Sequence, residues 1–205
     1  MTRILPKLLL GLAVLFHLIG WIGIGVLHNA QILQATPIHL LLMALLLVIS
    51  ARHDRRLLGW MGGVFVLGYV VEWIGIHTGL LFGNYRYGSV LGTQLDAVPL
   101  LIGLNWVTVL TGACSVTAMA NRPRWQQVLG AALIATAFDW LIEPVAVRLG
   151  YWQWVDGTIP AFNYLCWFGV SVVMAAGWTA LRLRPNHFAI ALLLIEAVFF
   201  ALLRL

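Results

Sequence analysis

Apolar residues run through this chain in long blocks separated by short polar knots. The blocks fall at roughly 5–27, 33–51, 57–77, 97–119, 126–147, 163–182 and 187–204. About 20 apolar residues are needed to cross the hydrocarbon core of a bilayer as a helix, so each block predicts a spanning helix, about seven in all. Pro37 stands at the start of the second block, in the first turn, where a missing N–H is tolerated. The knots carry turn and charge signals: Arg52-His53-Asp54-Arg55-Arg56, Asn121-Arg122-Pro123-Arg124 and Arg182-Leu183-Arg184-Pro185-Asn186. The first block, from about Leu8 to Leu27, is long for a signal-peptide core and lacks a small-x-small cleavage site, so it is kept as a helix.

Composition agrees with the blocks. The 205 residues are 62% hydrophobic and 9% charged, with mean hydropathy +0.95. A soluble domain of this size carries far more charge, so the solvent is a bilayer and residues 1–205 are expected to form a single all-α transmembrane domain. The net charge of +5 does not point to nucleic acid, because the basic residues sit in the knots, where topology explains them. Arg3, Lys7, Arg52, Arg55, Arg56, Arg122, Arg124, Arg182 and Arg184 fall on one side, against Arg86, Arg148 and Arg204 on the other. Nine against three places the N-terminus in the cytoplasm of a multi-pass inner or plasma membrane protein, and loops 78–96 and 148–162 on the outer face. Cys114 and Cys166 both lie in apolar blocks and read as packing residues.

The acidic residues are distributed unevenly. Of seven, only Asp54 lies on the basic side; Glu72, Asp96, Asp139, Glu143 and Asp156 lie in the outer half or outer loops, and Glu196 sits mid-helix, where it is expected to pair with a neighbouring helix. A carboxylate at membrane depth costs several kcal/mol unless paired or protonated, so three near one face call for a function.

Those acids belong to a repeat. Glu72 and Asp139, Trp73 and Trp140, Gly83 and Gly150, Tyr85 and Trp152, and Tyr87 and Trp154 are each 67 positions apart. Pro99 and Pro160, and Trp106 and Trp167, follow at an offset of 61. Two helix–loop–helix units, about 57–119 and 126–182, are expected to face one another across one site. Asp139 and Glu143, four apart, share a helix face, where like charges repel and at least one is expected to hold its proton. Pro144 is expected to kink that helix near Trp140–Glu143. Tyr85, Tyr87, Tyr151, Trp152 and Trp154 suit an interfacial belt, or a cage whose ring faces hold a cation. His77 is expected to hydrogen-bond a carboxylate or cap its helix, and the six scattered histidines form no metal-ligand spacing. Asn105, Asn163 and Trp167 join the candidate lining, whereas Gly59, Gly62, Gly63, Gly68 and Gly75 read as close helix packing.

At Glu72-Trp-Ile-Gly-x-x-Thr-Gly-x-x-Phe-Gly-x-Tyr-x-Tyr, Pro99, Asp139-x-x-x-Glu143-Pro144, Gly150-Tyr-Trp-x-Trp154 and Asn163, the chain resembles a membrane carotenoid-biosynthesis family. That family includes bisanhydrobacterioruberin hydratase and the γ-carotene 1′-hydratases. The resemblance covers about residues 60–180. It implies addition of water to the terminal C=C of an acyclic carotenoid end, a carbon–oxygen lyase reaction run without cofactor or metal. Glu72, Asp139 and Glu143 are then the acid–base candidates. His77, Tyr85, Tyr87, Asn105, Trp152, Trp154, Asn163 and Trp167 are the substrate-binding ones. The implied partners are a lipophilic carotenoid, the bilayer and other carotenoid-pathway enzymes, with no nucleic acid. Two alternatives stay open: a carotenoid cyclase or isomerase passing through the same cation, and a transporter or proton relay.

Overall fold

The computed structural model describes residues 4–120 and 122–205; Arg3 and Asn121, used in the charge count and the second knot, lie outside them. Among the described residues there are eight α-helices: α1 (Ile4–Gly20), α2 (Ala30–Gln34), α3 (Thr36–Ala51), α4 (Arg55–Thr78), α5 (Ile102–Met119), α6 (Arg124–Arg148), α7 (Ala161–Ala180) and α8 (His187–Arg204). Six are long and apolar enough to cross a membrane, α1 being extended by a π-helical turn over Trp21–Val26. The block expected at 33–51 is split into α2 and the 16-residue α3, which falls short of that length. Pro37 explains the split: it cannot donate to the turn before it, and Thr36 Oγ1 instead donates to Leu33 O at 2.6 Å.

Helix ends follow local chemistry. Asp54 caps α4 by accepting from the N–H groups of Arg56 and Leu57, and Asn186 caps α8 through Ala189 N–H. Gly79, at φ 66°, closes α4 in the left-handed region, with its N–H donating to Gly75 O. α6 runs continuously through Pro144, and the proline leaves the Trp140 carbonyl without its usual partner. α5 starts at Ile102, because residues 94–99 form a small hairpin, β2 (Gln94–Leu95) on β3 (Val98–Pro99).

The two aromatic loops are tied together. β1 (Tyr85–Tyr87) pairs antiparallel with β4 (Trp152–Trp154), Tyr85 opposite Trp154 and Tyr87 opposite Trp152. The alternate spacing of the rings is strand period: Tyr85 and Tyr87 share one face, Trp152 and Trp154 share one, and Arg86 and Gln153 project to the other. The bundle's opposite end is held at Asn186, whose Nδ2 donates to Ser50 and whose backbone N–H donates to Ser115.

The glycines of α4 divide. A Cβ on Gly68 would meet the Trp106 ring at 2.7 Å, and one on Gly75 the Tyr85 hydroxyl at 2.9 Å, so these two do permit close packing. Gly59, Gly62 and Gly63 face open space instead, a correction to the packing role expected for all five.

Candidate functional site

Glu72, near the end of α4, is buried, and three groups donate to it. Tyr85 Oη and Tyr87 Oη donate to Oε2 at 2.5 and 2.7 Å, and Trp106 Nε1 donates to Oε1 at 2.9 Å. The sheet sets this geometry, since period two aims both phenols at one carboxylate. Burial, and after it the Glu72 charge, hold both phenols well above the ordinary tyrosine value, so they keep their protons and remain donors.

Glu143, on α6, has a matching set. Trp152 Nε1 and Trp154 Nε1 donate to Oε2 at 3.1 and 3.0 Å, and Asn163 Nδ2 donates to Oε1 at 3.2 Å. The same Asn163 amide donates to Asp139 Oδ2 at 2.7 Å, which links the two acids of α6 through a residue at the start of α7. Asp139 receives no other protein donor among the described residues. Trp106 lies flat on Trp167, with centroids 3.8 Å apart and planes 13° from parallel.

These side chains enclose a cavity of about 20 Å³, lined by Glu72, Tyr85, Tyr87, Asn105, Asp139, Glu143, Trp152, Trp154, Asn163 and Trp167, with Phe82 and Ile102. A water needs about 10–15 Å³ measured this way, so the chamber takes one. It contains three carboxyl groups and no Lys, Arg or His. Ile102, Asn105 and Trp152 also line a second cavity of about 330 Å³, overwhelmingly apolar, formed by α1, α2, α3, α6 and α8. That volume falls in the range of small-molecule sites, about 300–1,000 Å³.

The structure thus brings ten of the eleven sequence-chosen residues to one chamber. His77 is the exception. It lies at the exposed end of α4, with Nδ1 on Trp73 O at 2.9 Å and Nε2 3.3 Å from Asp96 Oδ2, the carboxylate contact expected of it. Asp96 is pulled below the ordinary carboxylate range, first by the Trp73 N–H and then by His77. The family model described as "carotenoid biosynthesis protein" matches residues 32–204. The chain belongs to this family. No curated protein and no solved structure matches it.

In this member of the carotenoid biosynthesis family, sequence reasoning passed over Trp106 as a site residue. The signal was available, because Trp106 pairs with Trp167 in the repeat and a buried indole N–H needs an acceptor. The large cavity gave no such signal, since most of its walls are common apolar residues, contributed by α1, α3 and α8 outside the repeat together with α6 and Ile102 within it. Glu196, expected to pair with a helix, lines this cavity with Oε2 unpartnered among the described residues. His17 and His39 line it too. His17 Nδ1 donates to Ala13 O at 2.8 Å, so its Nε2 accepts from His39 Nε2 at 3.4 Å.

Proposed function

We propose that this protein is a cofactor-independent hydratase that adds water to the terminal C=C of an acyclic carotenoid end. The carrying observation is the chamber with three carboxyl groups, no cationic side chain and room for one water, set beside an apolar cavity with which it shares Ile102, Asn105 and Trp152. An excess of carboxylate over cation in a dry site stabilises a positive charge that develops there, which is the demand made by protonating an alkene. Membership in a carotenoid biosynthesis family supplies the substrate class.

Hydrogen bonding suggests the roles. Glu72 and Glu143 each accept three donors, the environment of a carboxylate, whereas Asp139 accepts one and has an oxygen free to carry a proton. In this reaction the isoprenoid end lies in the large cavity with its last double bond in the chamber. Asp139 gives its proton to the less substituted alkene carbon, and the π electrons form that C–H bond. The tertiary cation is held by the Glu72 charge and the faces of Tyr85 and Tyr87. Water forms the C–O bond and loses a proton to Glu143. Transfer back to Asp139, its neighbour through Asn163, restores the start. The balance is alkene plus water to tertiary alcohol.

The proposal includes a topology. α3 counts as a crossing, its 16 residues spanning about 24 Å at ~1.5 Å each, which makes seven and puts the two termini on opposite sides. The basic-side excess puts the N-terminus in the cytoplasm. Of the two facing units of the sequence repeat, the first supplies Glu72 and the second Asp139 and Glu143. The deciding experiment is co-expression with acyclic carotenoid synthesis and mass analysis of the pigments. Hydration adds one water to the pigment mass, and Asp139→Asn abolishes the gain. A new pigment of unchanged mass points to cyclisation or isomerisation and rejects hydration.

A further inference from the structure

At the end of the bundle away from the acids, two capped turns meet. Asp54 is committed to the start of α4, and Asn186 is fixed by Ser50, Ser115 and Ala189. Between the turns lies a pocket of about 430 Å³, and Arg56, Arg182 and Arg184 all line it. Asp54 also lines this pocket, but among the described residues no Asp or Glu side chain lies within ion-pair distance of these guanidinium groups; the ion pair found there, His77–Asp96, is at the far end.

A second hollow, of about 540 Å³, shares Arg56 with the first and continues between α4 and α7. Apart from Arg56, apolar residues and glycines line it, among them Leu67, Val173 and Leu181. It exists because Gly59 and Gly63 lack side chains where a Cβ would meet nothing within 4 Å. From Arg56 to Leu67 is eleven residues, about 16 Å at ~1.5 Å each, roughly half of a ~30 Å hydrocarbon core. Positive charge beside apolar helices follows from topology alone. A groove kept open by glycines and sharing Arg56 with the charged pocket does not.

We propose that the two hollows together bind one anionic phospholipid, its phosphate among Arg56, Arg182 and Arg184 and one acyl chain along the α4–α7 groove. Guanidinium groups match phosphate geometry, and basic pockets between membrane helices select anionic headgroups. The site is separate from the acid chamber and does not depend on the hydratase proposal.

The test is native mass spectrometry of the full-length protein in a neutral detergent, titrated separately with phosphatidylglycerol, phosphatidylcholine and inorganic phosphate. One phosphatidylglycerol is expected to stay bound while phosphatidylcholine is shed and phosphate alone is not retained. The pair Arg182→Gln with Arg184→Gln is expected to weaken retention about tenfold or more. Gly63→Leu, which fills the groove without changing charge, is expected to do the same, with Gly59→Leu as the second groove variant. Folding of each variant is checked by size exclusion. Equal retention of both lipids by the unmodified protein overturns the proposal without any variant. Retention of free phosphate, or undiminished phosphatidylglycerol binding in both folded groove variants, also overturns it.

Discussion

Trp152 and Trp154 were expected to form an interfacial belt or to serve through their ring faces, and the structure has both indole N–H groups donating to one oxygen of Glu143. Trp→Phe separates the two modes, because it keeps an aromatic face and deletes the donor. A hydrogen bond to a charged group is worth about 1.5–3 kcal/mol. In the proposed reaction Glu143 must be ionised to take the proton of water; at ~1.36 kcal/mol per factor of ten, losing one donor that holds it ionised cuts the share ready to act, and with it turnover, by roughly ten- to a hundredfold. Trp152→Phe and Trp154→Phe are therefore each expected to lose that much, and Trp→Leu little more. The assay is hydrated pigment formed per folded protein in a strain making the acyclic carotenoid, with folded protein measured by size exclusion of a fluorescent fusion. Wild-type turnover in both Phe variants, with loss confined to Leu, refutes the argument and returns the catalytic part to the ring faces.

Glu72→Gln and Glu143→Gln are each expected to abolish turnover while the protein still accumulates in the membrane; normal turnover from both rejects the carboxylate mechanism. Gly68→Ala places a Cβ 2.7 Å from the Trp106 ring, a strain on the order of 1–3 kcal/mol that moves the indole off Glu72. It is expected to lower both turnover and thermal stability, whereas Gly62→Ala, with open space around it, is neutral in both. Because Asp96 titrates below the usual carboxylate range, its hold on Trp73 is complete at neutral pH and is lost only as acid takes the pH down through that lowered value. Proteolysis of loop 79–101 should be pH-independent around neutrality and rise in acid, and Asp96→Asn should remove that acid step. Single cysteines in loops 78–96 and 148–162 are expected to react with an impermeant reagent from outside and those at 52–56 not to; labelling of 52–56 reverses the topology.

Much of the site was legible because its chemistry is expensive in a membrane. Glu72, Asp139 and Glu143 stand out in a chain with few charges, and the strict alternation at 85–87 and 152–154 encodes a common face. That alternation was read as a belt or a cage without the strands that produce it, because three-residue strands gain their pairing only from each other. The pairing also exchanges consistently: matched positions 85 and 152, and 87 and 154, meet crosswise as Tyr85–Trp154 and Tyr87–Trp152. The split at Thr36 was less visible, because proline is compatible with both a helix start and a break. The large cavity was illegible for a different reason. It depends on how α1, α3 and α8 are set against α6, and an apolar residue facing a void has the same sequence signature as one facing lipid.

The smallness of the acid chamber bears on selectivity between nucleophiles. At about 20 Å³ it takes one water but not an alcohol with its added carbon. A tertiary cation in free solution is trapped by whatever nucleophile is abundant, giving ethers in methanol and alkenes where a base is near. In the proposed reaction it is held against this chamber and meets a partner chosen by size before reactivity matters. Methanol added to a working membrane preparation should therefore leave the product as the free alcohol, with no methyl ether formed, even where methanol outnumbers the water reaching the protein.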